Sequence, residues 1–321
     1  MEEIMVSILC AAYNHERYIR QCLDGFIMQK TNFKYEVIVH DDASTDNTAQ
    51  IIREYQEKYP DIIKPIYQTE NQYSKGIKIT SEILPAFSKG KYIALCEGDD
   101  FWTDENKLQM QLEALEQHPE CKMCVHKVEI FDEKQREKKY YPSDNMEPKL
   151  KTGIIDSYNF IRISLGIAFQ TSSYFFDSKT FEKYVTESPL FKQISPVGDV
   201  PLLLYFGNKA PVYYIEDEMS CYRKESIGSW SWGWRQLGRK EYGCRHLSQM
   251  VRVYREYDKY TNGEYHELIG EKIFQLLWGI EAYREMRKKE FKKLRKHCSL
   301  RTRVYFFLKA YFPRLMKLLK K

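Results

Sequence analysis

Apolar and polar positions switch between two periods over the first 120 residues. Mostly apolar runs at 5–11, 35–39, 62–67 and 91–96 predict strands. Between them the spacing becomes helical. Ile19, Cys22, Leu23 and Phe26 share one face of a helix predicted over 16–29. Ser44-Thr45-Asp46 supply N-cap chemistry for a second helix, stopped by Pro60, and Asp104 caps a third over 107–118. Strands separated by helices predict an α/β fold with a mostly parallel, twisted sheet flanked by helices.

Residues 121–216 read as further strands with one or two short helices. From about Trp232 the pattern turns helical. One long helix is predicted over 264–296, with Leu268, Ile269, Ile273, Phe274, Leu277 and Ile280 in phase. A second covers 300–319, interrupted at Pro313. The boundary falls near 230: a domain over 1–230, then a C-terminal helical extension over 231–321.

Charge sharpens that division. The chain carries +5 overall. Residues 284–321 hold fifteen Lys and Arg against Glu285 and Glu290, a net of +13, so the rest carries −8. A mildly acidic body with a basic end points to an anionic surface as partner. The end is also amphipathic, with Phe306, Phe307, Tyr311, Phe312, Leu315, Leu318 and Leu319 among the basic residues. Such a helix can lie in a lipid interface. Nucleic acid is the rival partner, and packing on the protein's own body a third reading. The bulk of the apolar residues favours membrane over nucleic acid. No run reaches the roughly 18 apolar residues needed to span a bilayer, and 1–12 lacks a signal-peptide pattern. With eight scattered cysteines, these features predict a cytoplasmic protein, peripheral at the inner face of the cell membrane. Cys121 and Cys124 form a Cys-x-x-Cys without a second matching pair, and a strand is preferred there over a zinc site.

In open α/β sheets, ligands bind beyond the carboxyl ends of the strands. The first predicted strand ends in Ala12-Tyr13-Asn14-His15-Glu16, the second in His40-Asp41-Asp42, the fourth in Glu97-Gly98-Asp99-Asp100. Two of the three ends carry adjacent carboxylates. Oxygen ligands without a Cys/His cluster suit Mg²⁺ or Mn²⁺, which bridge diphosphates. A single Asp-Asp pair is more simply turn chemistry; two pairs at strand ends favour the ion.

These segments, taken in order, resemble glycosyltransferase family 2. The resemblance rests on Val6-Ser7-Ile8-Leu9 through Tyr13-Asn14, on Val37 through Asp46, and on Gly90 through Asp100 with Phe101-Trp102 to Gln111. It implies the GT-A fold and an inverting sugar transfer, with a nucleotide-sugar half over about 1–120 and an acceptor half over about 121–230. It further implies that Ala12 and Tyr13 contact the nucleobase and that Glu16 lies beside the nucleoside, unless it serves the helix start. Asp42 would accept from a base N–H, which favours UDP or dTDP donors. Asp99 would lie near ribose and metal, Asp100 on the metal, and Lys75 or Lys78 near phosphate. Arg223 would clamp phosphate, with a surface ion pair as the plainer reading. Trp102 would stack on the acceptor, and Trp230, Trp232 and Trp234 would form a lid or a strand face. Asp199, after Gly198, would be the general base; a helix-capping role competes for it. The implied cofactor is Mn²⁺ or Mg²⁺, and the acceptor a saccharide or lipid-linked hydroxyl in cell-surface polysaccharide synthesis. A nucleotidyltransferase would show a Gly-rich basic loop after the first strand, and 11–16 has none. A dinucleotide oxidoreductase would show Gly-x-Gly-x-x-Gly, which does not occur. A non-catalytic carbohydrate binder on the same fold is disfavoured by the intact carboxylate set.

Overall fold

The computed structural model describes residues 3–132, 138–146, 149–166, 169–224 and 239–312. Ten strands form one sheet among them: β1 (Ile4–Ala12), β2 (Lys34–Asp41), β3 (Ile63–Tyr67), β4 (Tyr92–Leu95), β5 (Phe101–Trp102), β6 (Met123–Phe131), β7 (Lys139–Tyr141), β8 (Gly153–Ile155), β9 (Phe175–Asp177) and β10 (Val212–Arg223). Their order is β3-β2-β1-β4-β9-β6-β10-β5, with β7 on β6 and β8 on β10. The first four are parallel, as are β6 and β10. Short strands pairing antiparallel, β9 between β4 and β6 and β5 against β10, make the sheet mixed beyond β4.

The mostly apolar runs fold as they do because both faces of these strands are covered. In β1, Val6, Ile8, Cys10 and Ala12 are fully buried against α1 (Ile19–Ile27), α2 (Thr48–Lys58) and their neighbours. One buried polar pair interrupts the run. Ser7 Oγ donates to Glu36 Oε1 at 2.7 Å, and the Lys89 and Gly90 amides donate to those two side chains. That knot fixes the entry into β4. Gly90 is required there, since a Cβ would stand 2.4 Å from the Ser7 nitrogen. The helix α3 (Lys107–Gln117) follows β5 and buries Leu108, Leu112 and Leu115.

The chain divides into two compact units. One comprises Met1–Ser188 with Gly198–Gly233, the other Pro189–Val197 with Trp234–Lys321. The sequence suggested one crossing near 230; the short excursion at 189–197 is an additional one. In the second unit Phe191 packs edge-on against Tyr257 and Tyr260 of the helix Arg239–Tyr260.

The long helix expected over 264–296 is broken. It comprises His266–Gly279, Tyr283–Met286 and Lys292–His297, followed by Leu300–Tyr311. Glu281 takes a left-handed φ of 54°, and the Ala282 amide closes back onto the Leu277 carbonyl at 2.8 Å while Glu281 bonds Trp278. This is a Schellman stop. It uses glutamate where glycine would normally announce it, so apolar periodicity ran past it. No helix among the described residues is long and apolar enough to cross a membrane.

Candidate active site

Strand register brings three chain ends together. Ala12 at the end of β1 pairs with Asp41 at the end of β2, and the Asp42 amide donates to the Ala12 carbonyl at 2.9 Å. On the other side, the Cys96 amide bonds Leu9 and the Gly98 amide bonds Ala11. Ala12 therefore stands between Asp42 and the Glu97–Asp100 turn, two strand spacings or roughly 10 Å across. Gly98 makes the contact close. A Cβ there would lie 2.9 Å from His15 Nδ1 and 3.0 Å from Ala12 Cβ.

The loops after β1 and β2 are laced together. Asn14 (φ 54°) and Ala43 (φ 60°) both adopt the left-handed region. The Thr45 amide donates to Asn14 Oδ1 at 2.8 Å, the Asn14 amide to Ser44 Oγ at 2.9 Å, and the His15 amide to Thr48 Oγ1 at 2.8 Å. Glu16 accepts from Asn47 Nδ2 at 2.8 Å and from its amide, so it serves the start of α2. These bonds leave Tyr13 39 % exposed, with its ring available to stack. Asp42 is buried, and its carboxylate accepts the amides of Gln72 (2.8 Å) and Tyr73 (3.0 Å). It anchors the segment after β3, a role the sequence did not disclose.

The Glu97–Asp100 turn and Asp199 form an acidic group. Asp99 and Asp100 are buried. Glu97 is exposed, beside Asp99 and within electrostatic reach of Asp199. Loss of solvation, then the charges of Asp99 and Asp199, push its carboxyl up to about 8. Desolvation also raises Asp100 well above the usual range, reinforced by Asp99 and Glu97 and opposed by the Arg223 amide. Asp199, raised by desolvation, is the first residue of the helix Asp199–Lys209, and its Oδ1 accepts the Val200 amide at 2.8 Å. Gly198 holds the cap position, so Asp199 is not the cap itself. Glu97 is the site residue sequence reading passed over. Its signal was its place at a strand end, beside the two carboxylates that were assigned roles.

Carboxylates that raise one another's affinity for protons are a fitting donor set for a hard cation, which would relieve their repulsion. Among the described residues, no three His, Cys, Asp or Glu side chains converge to enclose an ion. The set suits Mg²⁺- or Mn²⁺-type binding, in which one or two carboxylates hold the ion and phosphate oxygens complete the shell.

Other expected residues lie elsewhere. Trp102 is 2 % exposed, with its ring edge-on to Phe26 and 3.9 Å from Lys107 Nζ. It belongs to the core and has no face to offer a sugar, which corrects the acceptor assignment. Its place just after the carboxylate turn suggested stacking on a sugar; the ring instead packs on Phe26. Lys75 is on an exposed turn, paired with Glu70. Arg223 comes to the site through its backbone, whose amide donates to Asp100 Oδ1 at 2.8 Å. Its guanidinium bonds Gln21 and lies 4.5 Å from the Phe101 ring and 5.3 Å from Tyr18. Trp230, Trp232 and Trp234 lie outside the described residues.

Comparison with known proteins bears on the family and the fold. Residues 7–179 match the model of "Glycosyl transferase family 2". An uncharacterised protein of Mycobacterium tuberculosis is 33 % identical over 229 residues, 70 % of this chain and 60 % of its own length. The chain thus spans about 60 % of that relative. The WfgD protein of Escherichia coli, a UDP-Glc:alpha-D-GlcNAc-diphosphoundecaprenol beta-1,3-glucosyltransferase, is 30 % identical over 112 residues, 35 % of this chain and 41 % of its own. Among solved structures, S. aureus TarS 1–349 in complex with UDP-GlcNAc superposes with a TM-score of 0.62 at 16 % identity, covering 97 % of this chain and 82 % of that one. The mannosyltransferase PcManGT of Pyrobaculum calidifontis, in complex with GDP-Man and Mn²⁺, gives 0.53 at 14 % identity with the same coverage. At these identities the two structures speak for the fold, which is of the GT-A type.

Proposed function

Because the chain belongs to glycosyl transferase family 2, we propose that it moves a sugar from a nucleoside-diphosphate donor to a hydroxyl of a saccharide or lipid-linked acceptor, inverting the anomeric centre. One observation carries this reading: the carboxylate turn Glu97–Asp100 and the buried Asp42 stand on either side of Ala12 at the ends of neighbouring strands, and Asp199, a hundred residues on, acts electrostatically on Glu97.

In this proposal residues 1–120 hold the donor and 121–230 receive the acceptor. Tyr13 stacks on the base above the Ala12 backbone. Asp42 adds a base N–H to the two amides it already accepts, which its four lone-pair sites allow. Glu16 keeps the adjoining loop in place beside the nucleoside. Asp99 and Asp100 would hold Mn²⁺ or Mg²⁺ against the diphosphate, and the ion when bound neutralises charge on the leaving group. Arg223 holds Asp100 from its backbone and offers its guanidinium to phosphate. Lys75, whose exposed pairing with Glu70 is worth little, is free to swing to phosphate. Asp199 takes the proton from the acceptor hydroxyl as that oxygen bonds the anomeric carbon and the bond to diphosphate breaks. Its raised proton affinity suits a base, since a carboxylate at its ordinary value is a weak one. A lipid-linked acceptor would bring the enzyme to the inner face of the cell membrane.

The test is donor turnover. Purified chain with Mn²⁺ or Mg²⁺ and a panel of UDP-, dTDP- and GDP-sugars should release nucleoside diphosphate. Asp199→Asn should keep donor affinity while transfer falls by about two to four orders of magnitude. Loss of donor affinity in that variant would give Asp199 a structural role. Failure of every donor to bind or turn over would defeat the transferase reading.

A further inference from the structure

The helix Leu300–Tyr311 has two faces of different fate. Phe306 and Ala310 are buried, with Phe306 edge-on to Trp278 at 4.8 Å and to Phe274 at 6.0 Å. The reading in which this helix packs on its own body is therefore met by that face. The other face is not so used. Leu300, Val304, Phe307 and Tyr311 are 70, 48, 41 and 53 % exposed. Their spacing of four, three and four places them in one stripe, within an arc of about 60° at 3.6 residues per turn. Phe312 extends the stripe at 48 % exposure.

Charge surrounds the stripe with one sign. Arg303 lies on one flank and Arg301 on the other, both exposed. Arg287 sits over the Phe307 and Tyr311 rings at 4.9 and 5.0 Å. From 291 to 321 the sequence contains eleven Lys and Arg and no Asp or Glu. The nearby carboxylates Glu281, Glu285 and Glu290 are paired with Lys309, Lys288 and Arg255.

We infer that this stripe is a docking face for an anionic lipid bilayer, with the four apolar side chains inserted among acyl chains and Arg301 and Arg303 at the headgroups. An apolar stripe between basic flanks is the form that interfacial helices take, because long cationic side chains bury their stems and keep their charge at the phosphates. A nucleic acid would be met by the same charges, but it gives four aliphatic and aromatic side chains in a row no comparable apolar phase. The inference names the surface behind the membrane location proposed above. It does not depend on transferase chemistry, so the two can fail separately.

The experiment is flotation of the full chain with phosphatidylglycerol–phosphatidylcholine vesicles and with pure phosphatidylcholine vesicles. The chain should float with the anionic vesicles, in a salt-sensitive way, and hardly at all with the neutral ones. V304E/F307E should lower partitioning at least about tenfold, since it removes two apolar groups from the interface. Donor turnover on a soluble acceptor should be unchanged. L300S, at the most exposed position, should weaken binding to a lesser degree, and its circular dichroism and that of the double variant should match wild type. If the double variant is misfolded, L300S alone decides. Three outcomes would overturn the inference: no flotation of wild type, flotation that the apolar substitutions leave intact, or equal retention on polyuridylate that they leave intact.

Discussion

The backbone amide of Arg223 donates to Asp100 Oδ1 at 2.8 Å, joining the end of β10 to the carboxylate turn 123 residues earlier. The short β5–β10 pairing, with Cys221 opposite Phe101, sets up this bond. Asp100 thus has a structural duty besides any role toward an ion.

Removing that carboxylate should therefore cost stability as well as activity. Asp100→Ala leaves a part-buried N–H without its acceptor, and we expect a loss of about 1–3 kcal/mol. Asp100→Asn retains an acceptor and should lose less, while both variants abolish donor turnover. Urea unfolding of the three proteins beside the turnover assay measures the split.

Stability should depend on pH through Glu97. Its carboxyl rises from 4.5 to about 8 on folding, so between those values the folded chain binds more protons than the unfolded one. This group's contribution to stability then falls as pH rises through that window. Glu97→Gln should flatten the fall, and Mn²⁺ should offset it by favouring the ionised site. Thermal unfolding from pH 5 to about 8, with Mn²⁺ and with EDTA, reads both effects. Buried His126 and Lys107 contribute slopes of the opposite sign, so the deciding quantity is the wild-type minus Glu97→Gln difference; a difference that rises across this range would contradict the raised carboxyl.

Trp102 should behave as a core residue. Trp102→Ala is expected to destabilise by about 3–5 kcal/mol, with Trp102→Phe milder. At a temperature where Trp102→Phe is folded, its acceptor KM should be near wild type. A raised acceptor KM in a fully stable Trp102→Phe would restore the sugar-stacking role.

Lys107 is fully buried, with Nζ donating to Gln111 Oε1 at 2.6 Å. Burial lowers its amine from 10.5 to about 7. Between those values the unfolded chain binds more protons than the folded one, so this group's penalty is full below about 7 and fades as pH rises toward 10.5. Lys107→Met should remove that upward trend in stability, provided the methionine fills the space. Denaturation midpoints of both proteins from pH 7 to about 10 test it.

Much of the first half was legible because its signals are local. Apolar runs and helical spacing gave the first four strands and the helices up to α3, and strand ends picked out Ala12, Asp42, Asp99 and Asp100; the expected caps moved, since Asn47 and Asn106 hold the N-cap positions of α2 and α3 in place of Asp46 and Asp104. Trp102 was misread for a physical reason. A tryptophan two residues after a carboxylate turn has the same local sequence whether its ring faces solvent or core, and only the packing of Phe26 and Lys107 settles it. The stop at Glu281 was hidden in the same way, because a left-handed glutamate carries no compositional mark.

By itself, then, the sequence determined which segments become the first four strands, which chain ends carry carboxylates and where positive charge accumulates, since period and charge act over a few residues. Tertiary structure alone decided that Asp42 is occupied by the Gln72 and Tyr73 amides, that Arg223 holds Asp100 through its backbone, and which side of the helix Leu300–Tyr311 stays open. Those outcomes depend on contacts between residues far apart in the chain, and desolvation and packing, which choose among them, exist only once the chain has closed on itself.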